Sequence, residues 1–175
     1  MKHPLHQFKY CPKCGSSSFH EHNFKANICD SCGFIYYFNP SSATVAFIQN
    51  EKGELLVCRR AHEPAKGTLD LPGGFVDMQE SGEAAIMREV EEETGLKAKV
   101  IEYMFSLPNK YMYSDFEVQT LDMFFAIQVE DAGVLQANDD VEESFFIPLD
   151  KIDPAEFGLT SVRIGLEQFL AEKLK

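Results

Sequence analysis

Apolar and polar positions change their pattern at about residue 39. Before it, apolar residues stand singly among Cys, His, Lys and Ser. After it, runs begin. Ala43–Ile48 is short and apolar, which predicts a buried strand. Asn50–Gly53 reads as a turn and Glu54–Arg60 as a second strand, so the two are expected to form a hairpin. A loop rich in Pro and Gly ends at Leu71-Pro72-Gly73-Gly74. Ser81–Thr94 then has helical spacing, with Ala85, Ile86 and Val90 as its apolar stripe. Ser81 suits the N-cap and Gly95 the left-handed residue after the helix. Val100–Phe105, Gln119–Val129 and Ser144–Pro148 read as strands. Thr160–Leu174 reads as a helix that offers Ile164, Leu166, Phe169, Leu170 and Leu174 for packing. The order strands, helix, strands, helix predicts an α+β domain, a mixed sheet covered by helices on two faces. The boundary places a small domain at 1–38 and a larger one at 39–175.

Composition narrows the function classes. The chain has 175 residues, 45% of them hydrophobic and 25% charged, values of a folded globular protein. No apolar run approaches the roughly 18 residues of a membrane span. The first ten residues lack the apolar stretch of a secretory leader, so the cytoplasm is the expected compartment. The net charge is −12, unevenly spread: residues 1–38 carry +2 and the remainder −14. So acidic a body is not expected to bind nucleic acid by charge attraction. A phosphate-bearing ligand would need a cation between it and the protein.

Cys11-Pro12-Lys13-Cys14 and Cys29-Asp30-Ser31-Cys32 put two sulfurs on each of two tight turns. Four thiolates so paired suit tetrahedral Zn2+, with a redox disulfide or an iron–sulfur cluster as the alternative. Gly15 and Gly33 follow the second Cys of each pair, where a positive φ would aim backbone N–H groups at sulfur. A domain this small has little core, so a metal would supply most of its folding energy. The pattern resembles a zinc ribbon. Its expected role is structural, against direct contact with a ligand. His20 and His22 are expected at the surface, and Cys58 as a packing thiol.

The helix concentrates chemistry. Glu89, Glu92 and Glu93 stand at i, i+3, i+4 and share a face, with only Arg88 to offset them. A solvated acidic face is one reading; hard-oxygen ligands for Mg2+ or Mn2+ are the other. The glycine turn before the helix allows close approach of backbone to a ligand, at a helix end that favours phosphate.

The stretch Gly74-x5-Glu80-x7-Arg88-Glu89-Val90-x-Glu92-Glu93-x-Gly95-Leu96 resembles the Nudix box, GX5EX7REUXEEXGU, at every fixed position. The resemblance implies a Nudix α/β/α sandwich behind the ribbon. It implies Mg2+- or Mn2+-dependent hydrolysis of a pyrophosphate bond in a nucleoside diphosphate linked to another moiety. Glu89, Glu92, Glu93 and the Gly74 carbonyl would hold the metal, and Glu80 and Arg88 would support them. Glu92 or Glu93 would help deprotonate water. A further Glu from a late loop is common in the family; Glu143 fits best and Glu142 next, with Phe146 in the usual Trp position. The alternative is a nucleotide-sensing module whose ribbon contacts nucleic acid or a partner.

A Nudix domain behind a ribbon also resembles the NADH pyrophosphatase arrangement. The SQPWPFPxS signature of that group is replaced here by Ser106-Leu107-Pro108-Asn109-Lys110-Tyr111-Met112-Tyr113, so NADH itself is not assigned; the segment is a candidate lining of the substrate pocket. Phe75, Tyr111 and Tyr113 are candidate stacking residues for a nucleobase, with Phe105 beside them. The expected partner is a nucleotide-type small molecule, and family resemblance makes a homodimer reasonable.

Overall fold

The computed structural model describes residues 2–129, 135 and 141–174, apart from the side chain of Tyr111. It divides into two compact units, Met1–Pro40 and Ser41–Lys175.

In the first unit, β1 (Phe19–Asn23), β2 (Ala26–Cys29) and β3 (Ile35–Tyr37) form an antiparallel sheet in the order β1-β2-β3. Among the described residues its buried apolar cluster is Cys11, Phe19 and Cys29, with Cys32, Phe34 and Tyr36 packed against it, and Leu5 and Ala26 are also buried. That is too little apolar surface to hold such a domain without a further cross-link.

The second unit holds β4 (Ser41–Ile48), β5 (Leu55–Arg60), β6 (Leu69–Asp70), α1 (Gly82–Thr94), β7 (Ala98–Tyr113), β8 (Phe116–Val129), β9 (Val141–Ile147) and α2 (Thr160–Lys173). Two sheets form, β4-β8-β7 and β6-β5-β9. The first is mixed, since β4 runs parallel to β8 and β7 antiparallel to it. Side chains that alternate along each strand enter two cores. Val45, Phe47, Leu55, Val57 and Phe124 pack with Val162, Leu166, Phe169 and Leu170 of α2. Ala46, Ile48, Leu56, Phe125 and Ile127 pack with Ile86 and Val90 of α1. Both faces of the central strands are therefore covered, which is why they read as unbroken apolar runs. The α+β sandwich expected from the sequence is present.

Three local expectations need correction. β4 and β5 do not pair as a hairpin. After a single bridge between Gln49 and Leu55 they part into different sheets, where β4 takes β8 as its partner and β5 takes β6 and β9; the apolar run that marks each as buried does not name its neighbour. β7 continues to Tyr113, far past the expected Phe105. Pro108 looks like a strand breaker in sequence, but β7 is an edge strand paired only with β8, so no second neighbour asks for the missing N–H. The hairpin closes at Ser114-Asp115, both with positive φ (50° and 60°), the backbone of a type I′ turn that matches strand twist. In α2, Ile164 and Leu174 are exposed. Small Ser161 and Gly165 face inward instead, and a Cβ at Gly165 would strike the Phe124 ring.

Candidate active site

Helix α1 is fixed at both ends by local chemistry. The Ser81 hydroxyl accepts the Ala84 N–H at 3.2 Å, and Gly95 closes the helix at φ 71° with its N–H on the Glu91 carbonyl. Ala85, Ile86, Val90, Glu93 and Thr94 are the buried positions. A carboxylate on the buried face is costly unless something receives it.

The Gly73-Gly74 turn receives it. The Gly73 N–H donates to Glu93 Oε2 at 2.9 Å. Gly73 has φ +149°, and a Cβ there would run into the Thr44 carbonyl. A Cβ on Gly74 would lie 2.5 Å from the Glu89 carboxylate carbon. Only glycine lets the turn press against both carboxylates. The Gly74 carbonyl, an expected metal ligand, accepts from the Thr44 N–H at 2.8 Å and the Thr44 hydroxyl at 3.3 Å.

Arg88 organises the remaining acids. Its Nε and Nη2 donate to Glu80 Oε1 and Oε2 at 3.1 and 2.9 Å. Its Nη1 donates to Glu89 Oε1 at 2.7 Å and Glu92 Oε2 at 3.0 Å, and Nη2 also reaches the Phe75 carbonyl at 3.0 Å. These are charge-assisted bonds with the planar fork used on Glu80. The Arg88 guanidinium, aided by the Asp77 N–H, holds the Glu80 carboxyl below its usual range. The bonds from Glu80, then Glu89 and Glu92, raise Arg88 in turn.

A cavity of about 210 Å³ lies beside this turn. Glu93, Gly73 and Gly74 line it, together with Phe75 and Tyr113, two of the candidate substrate contacts. Glu89 and Glu92 do not line it. The Tyr111 side chain lies outside the described residues. Glu143 sits on β9 opposite Arg59 of β5 and accepts the Arg59 Nε–H at 2.6 Å. Arg59 lines the cavity but Glu143 does not. Glu142 is exposed beside it, and Phe146 packs against the α1-side core.

Sequence reading missed several cavity residues. Arg60 pairs with buried Asp70 at 2.6 Å, whose other oxygen accepts the Leu71 N–H at 2.8 Å. Burial pushes Asp70 up, and Arg60 opposes the shift. Thr120 and Asp122 also line the cavity, beside Asn109 of the Ser106–Tyr113 segment, which the sequence had already offered as pocket lining. The available signal was Asp122 itself, a carboxylate interrupting the apolar stretch from Leu121 to Ile127. Cys58 lines the cavity too; burial raises its thiol well above the ordinary range, consistent with a packing role.

In the first unit the four sulfurs of Cys11, Cys14, Cys29 and Cys32 lie within 4.8 Å of one another. Cys11–Cys32 and Cys14–Cys29 are 3.8 and 3.7 Å apart. A Zn–S bond of about 2.3 Å implies a tetrahedral edge of about 3.8 Å, so the donor set fits that ion. Among the described residues this is the only group of three or more ligand atoms that close. Gly15 and Gly33 have the expected positive φ, 74° and 70°, yet their N–H groups go to the Cys11 and Cys29 carbonyls. Backbone bonds to sulfur come from Ser16 on Cys14, and from Cys32 and Ser31 on Cys29.

Residues 39–166 match the model of the NUDIX domain. The chain belongs to the Nudix family. It is 33% identical over 123 residues to the ADP-ribose pyrophosphatase of Methanocaldococcus jannaschii, covering 69% of each chain. It is 28% identical over 169 residues to the NAD-capped RNA hydrolase NudC of Deinococcus radiodurans, covering 95% of this chain and 57% of that one. For NudC of Photobacterium profundum the match is 32% over 108 residues, and 40% of that protein is covered. The Nudix chain thus spans about half the length of these NudC relatives. The crystal structure of a Nudix hydrolase from Nitrosomonas europaea overlays with a TM-score of 0.74 at 21% identity, covering 94% of this chain and 91% of that one; this likeness shows the fold. Family and named relatives together place the chain among Nudix pyrophosphohydrolases. No helix of the described residues is long and apolar enough to cross a membrane.

Proposed function

We propose that the chain hydrolyses the pyrophosphate bond of a nucleoside diphosphate linked to another moiety, using Mg2+ or Mn2+. The observation that carries this reading is Glu93: a buried carboxylate at a cavity wall, held by the N–H of a glycine turn. Hard carboxylate oxygens suit these cations. The Gly74 cradle, which a Cβ would fill, lets Glu89 approach the same turn. Glu89, Glu92 and Glu93 are the proposed ligands, with the Gly74 carbonyl joining them if the Thr44 hydroxyl turns away.

Bound there, a divalent cation would neutralise phosphate oxygens and lower the pKa of water. The protein's own residues do the rest. Arg88 keeps Glu89 and Glu92 from splaying while Glu80 holds Arg88 in place. Glu93, the proposed base that faces the cavity, accepts the proton of the attacking water. Phe75 and Tyr113 offer ring faces to a base. Glu143, tied to Arg59, would act only after that ion pair opens. The names of the relatives support an ADP-ribose- or NAD-like substrate.

Zn2+ is the proposed occupant of the four-cysteine cluster, as a structural ion. A four-thiolate metal cluster suits a reducing, cytoplasmic setting, which is the proposed compartment.

The test is a substrate panel: NADH, ADP-ribose, nucleoside triphosphates and dinucleotides, with and without Mg2+ and with product identification. Mg2+-dependent cleavage of a pyrophosphate bond that Glu93→Gln abolishes is the expected result. Tight nucleotide retention without turnover would instead make the protein a sensor, and no turnover of any substrate would overturn the hydrolase reading.

A further inference from the structure

The cavity carries a second polar group that hydrolysis does not use, on elements other than the glycine turn and α1. Asp122 of β8 is buried, yet three donors from three elements converge on it. The Thr120 hydroxyl donates to Oδ1 at 2.6 Å. The Ser161 hydroxyl of α2 donates to Oδ2 at 2.5 Å, and Asn109 Nδ2 of β7 donates to Oδ2 at 3.1 Å. Among the described residues no cation pairs with Asp122. A buried carboxylate with donors but no counter-ion is a poor device for stability, and it occupies a strand that is otherwise apolar from Leu121 to Ile127.

Its geometry has a directional consequence. Oδ2 of Asp122 accepts in this contact, so it selects one of the two orientations of the Asn109 amide, the one with Nδ2 towards Asp122. The amide is left with one N–H and its carbonyl oxygen. Asn109 lines the cavity, and no other partner engages it among the described residues. A donor beside an acceptor, held rigidly, complements an edge carrying an exocyclic amine next to a ring nitrogen. Adenine presents that edge, and asparagine is a side chain that reads it in two bonds. Hypoxanthine and guanine place an oxygen where adenine has the amine, which would set oxygen against Asn109 Oδ1.

We infer that Asn109 is a specificity-determining residue that reads the amino edge of an adenine, with Asp122 as the positioning residue that fixes its amide. The inference rests on the hydrolase reading of the same cavity and names its substrate class: adenine-containing pyrophosphates in preference to their hypoxanthine counterparts.

The full-length wild-type protein, assayed with Mg2+, decides this without mutagenesis. NADH is compared with reduced nicotinamide hypoxanthine dinucleotide, which carries an oxygen in place of the amine and a proton on the ring nitrogen beside it. Calorimetry of AMP and IMP without added metal runs alongside. The adenine compound is expected to show a kcat/KM at least about tenfold higher, carried by KM, and AMP is expected to bind correspondingly tighter. Asn109→Ala should raise KM for NADH about tenfold and erase the preference. Asp122→Asn, which can donate as well as accept, should shrink the preference through KM without a comparable fall in kcat, an effect that simple loss of packing would not produce. If neither dinucleotide is cleaved, NADH is not the substrate, the hydrolase reading is left to the full substrate panel, and the AMP-to-IMP ratio decides the inference. Equal kcat/KM on the two compounds overturns it. So does equal or absent binding of AMP and IMP where neither dinucleotide is cleaved.

Discussion

A single absent methyl group sets the distance between turn and helix at this site. Because a Cβ on residue 74 would stand 2.5 Å from the Glu89 carboxylate carbon, Gly74→Ala must push that carboxylate aside. Titrating the rate with Mg2+ should show activation weakened by about tenfold or more, in the range seen when groups that orient ligands are lost. Glu93→Gln keeps the shape and can still take the Gly73 N–H through its amide oxygen, but loses the charge and the basicity. The expected result is a kcat lower by about 10²–10⁴-fold, measured at saturating Mg2+ on a protein whose melting temperature is unchanged or higher. The residues behind both predictions were legible in the sequence because a short spacing along one turn and one helix defines them. The bonds that tie Asn109 and Ser161 to Asp122 were not. Their network joins positions 13 and 39 residues apart, and only strand register and the seat of α2 bring them together.

At the level of the element, α1 depends on one internal cation. Arg88 donates to Glu80, Glu89 and Glu92 at once. Since Arg88 holds Glu80 below its ordinary value of 4.5, the folded state binds that proton less readily than the unfolded one. The stabilisation is therefore complete above about that pH and is lost as pH falls through the lower folded value. Thermal melts between pH 7 and pH 3 should show wild type losing stability on acidification more steeply than Glu80→Gln, the difference between the two curves being the readout. Arg88→Lys cannot reproduce the fork on Glu80. It should lose much of the activity at low Mg2+ and recover part of it at high Mg2+. Helix ends were readable from Ser81 and Gly95, whose capping bonds are local. The extent of β7 was not, because whether a proline ends a strand depends on whether the strand has one neighbour or two.

Across the molecule, two apolar layers and one sulfur cluster carry stability in different ways. The larger unit relies on packing: Phe169 stacks on Phe47 with ring centroids 4.2 Å apart and planes 6° from parallel. Phe169→Ala should destabilise that unit by about 3–5 kcal/mol in a denaturant titration. The smaller unit has three buried apolar residues in its cluster, two of them cysteines. Removing Zn2+ with a strong chelator, or Cys32→Ser, should open residues 1–40 to protease while residues 41–175 stay protected. Mass spectrometry of the fragments reads this directly. The two-layer architecture was legible because alternate residues of each central strand belong to opposite cores, leaving no polar face. The parting of β4 from β5 was not, since an apolar run announces burial without naming its neighbour.

The reach of the β7–β8 ribbon has a consequence for how such a protein diversifies. β4 pairs with β8 only from Thr120 onward, so the ribbon beyond that point is an arm anchored on one side, with Asn109 at its root and Tyr113 near its tip. The proposed metal ligands and base lie elsewhere, clamped between turn and helix. Appetite and chemistry are thereby housed in separable parts, and descendants of this chain can trade one diet for another by redrawing the arm while the blade stays untouched.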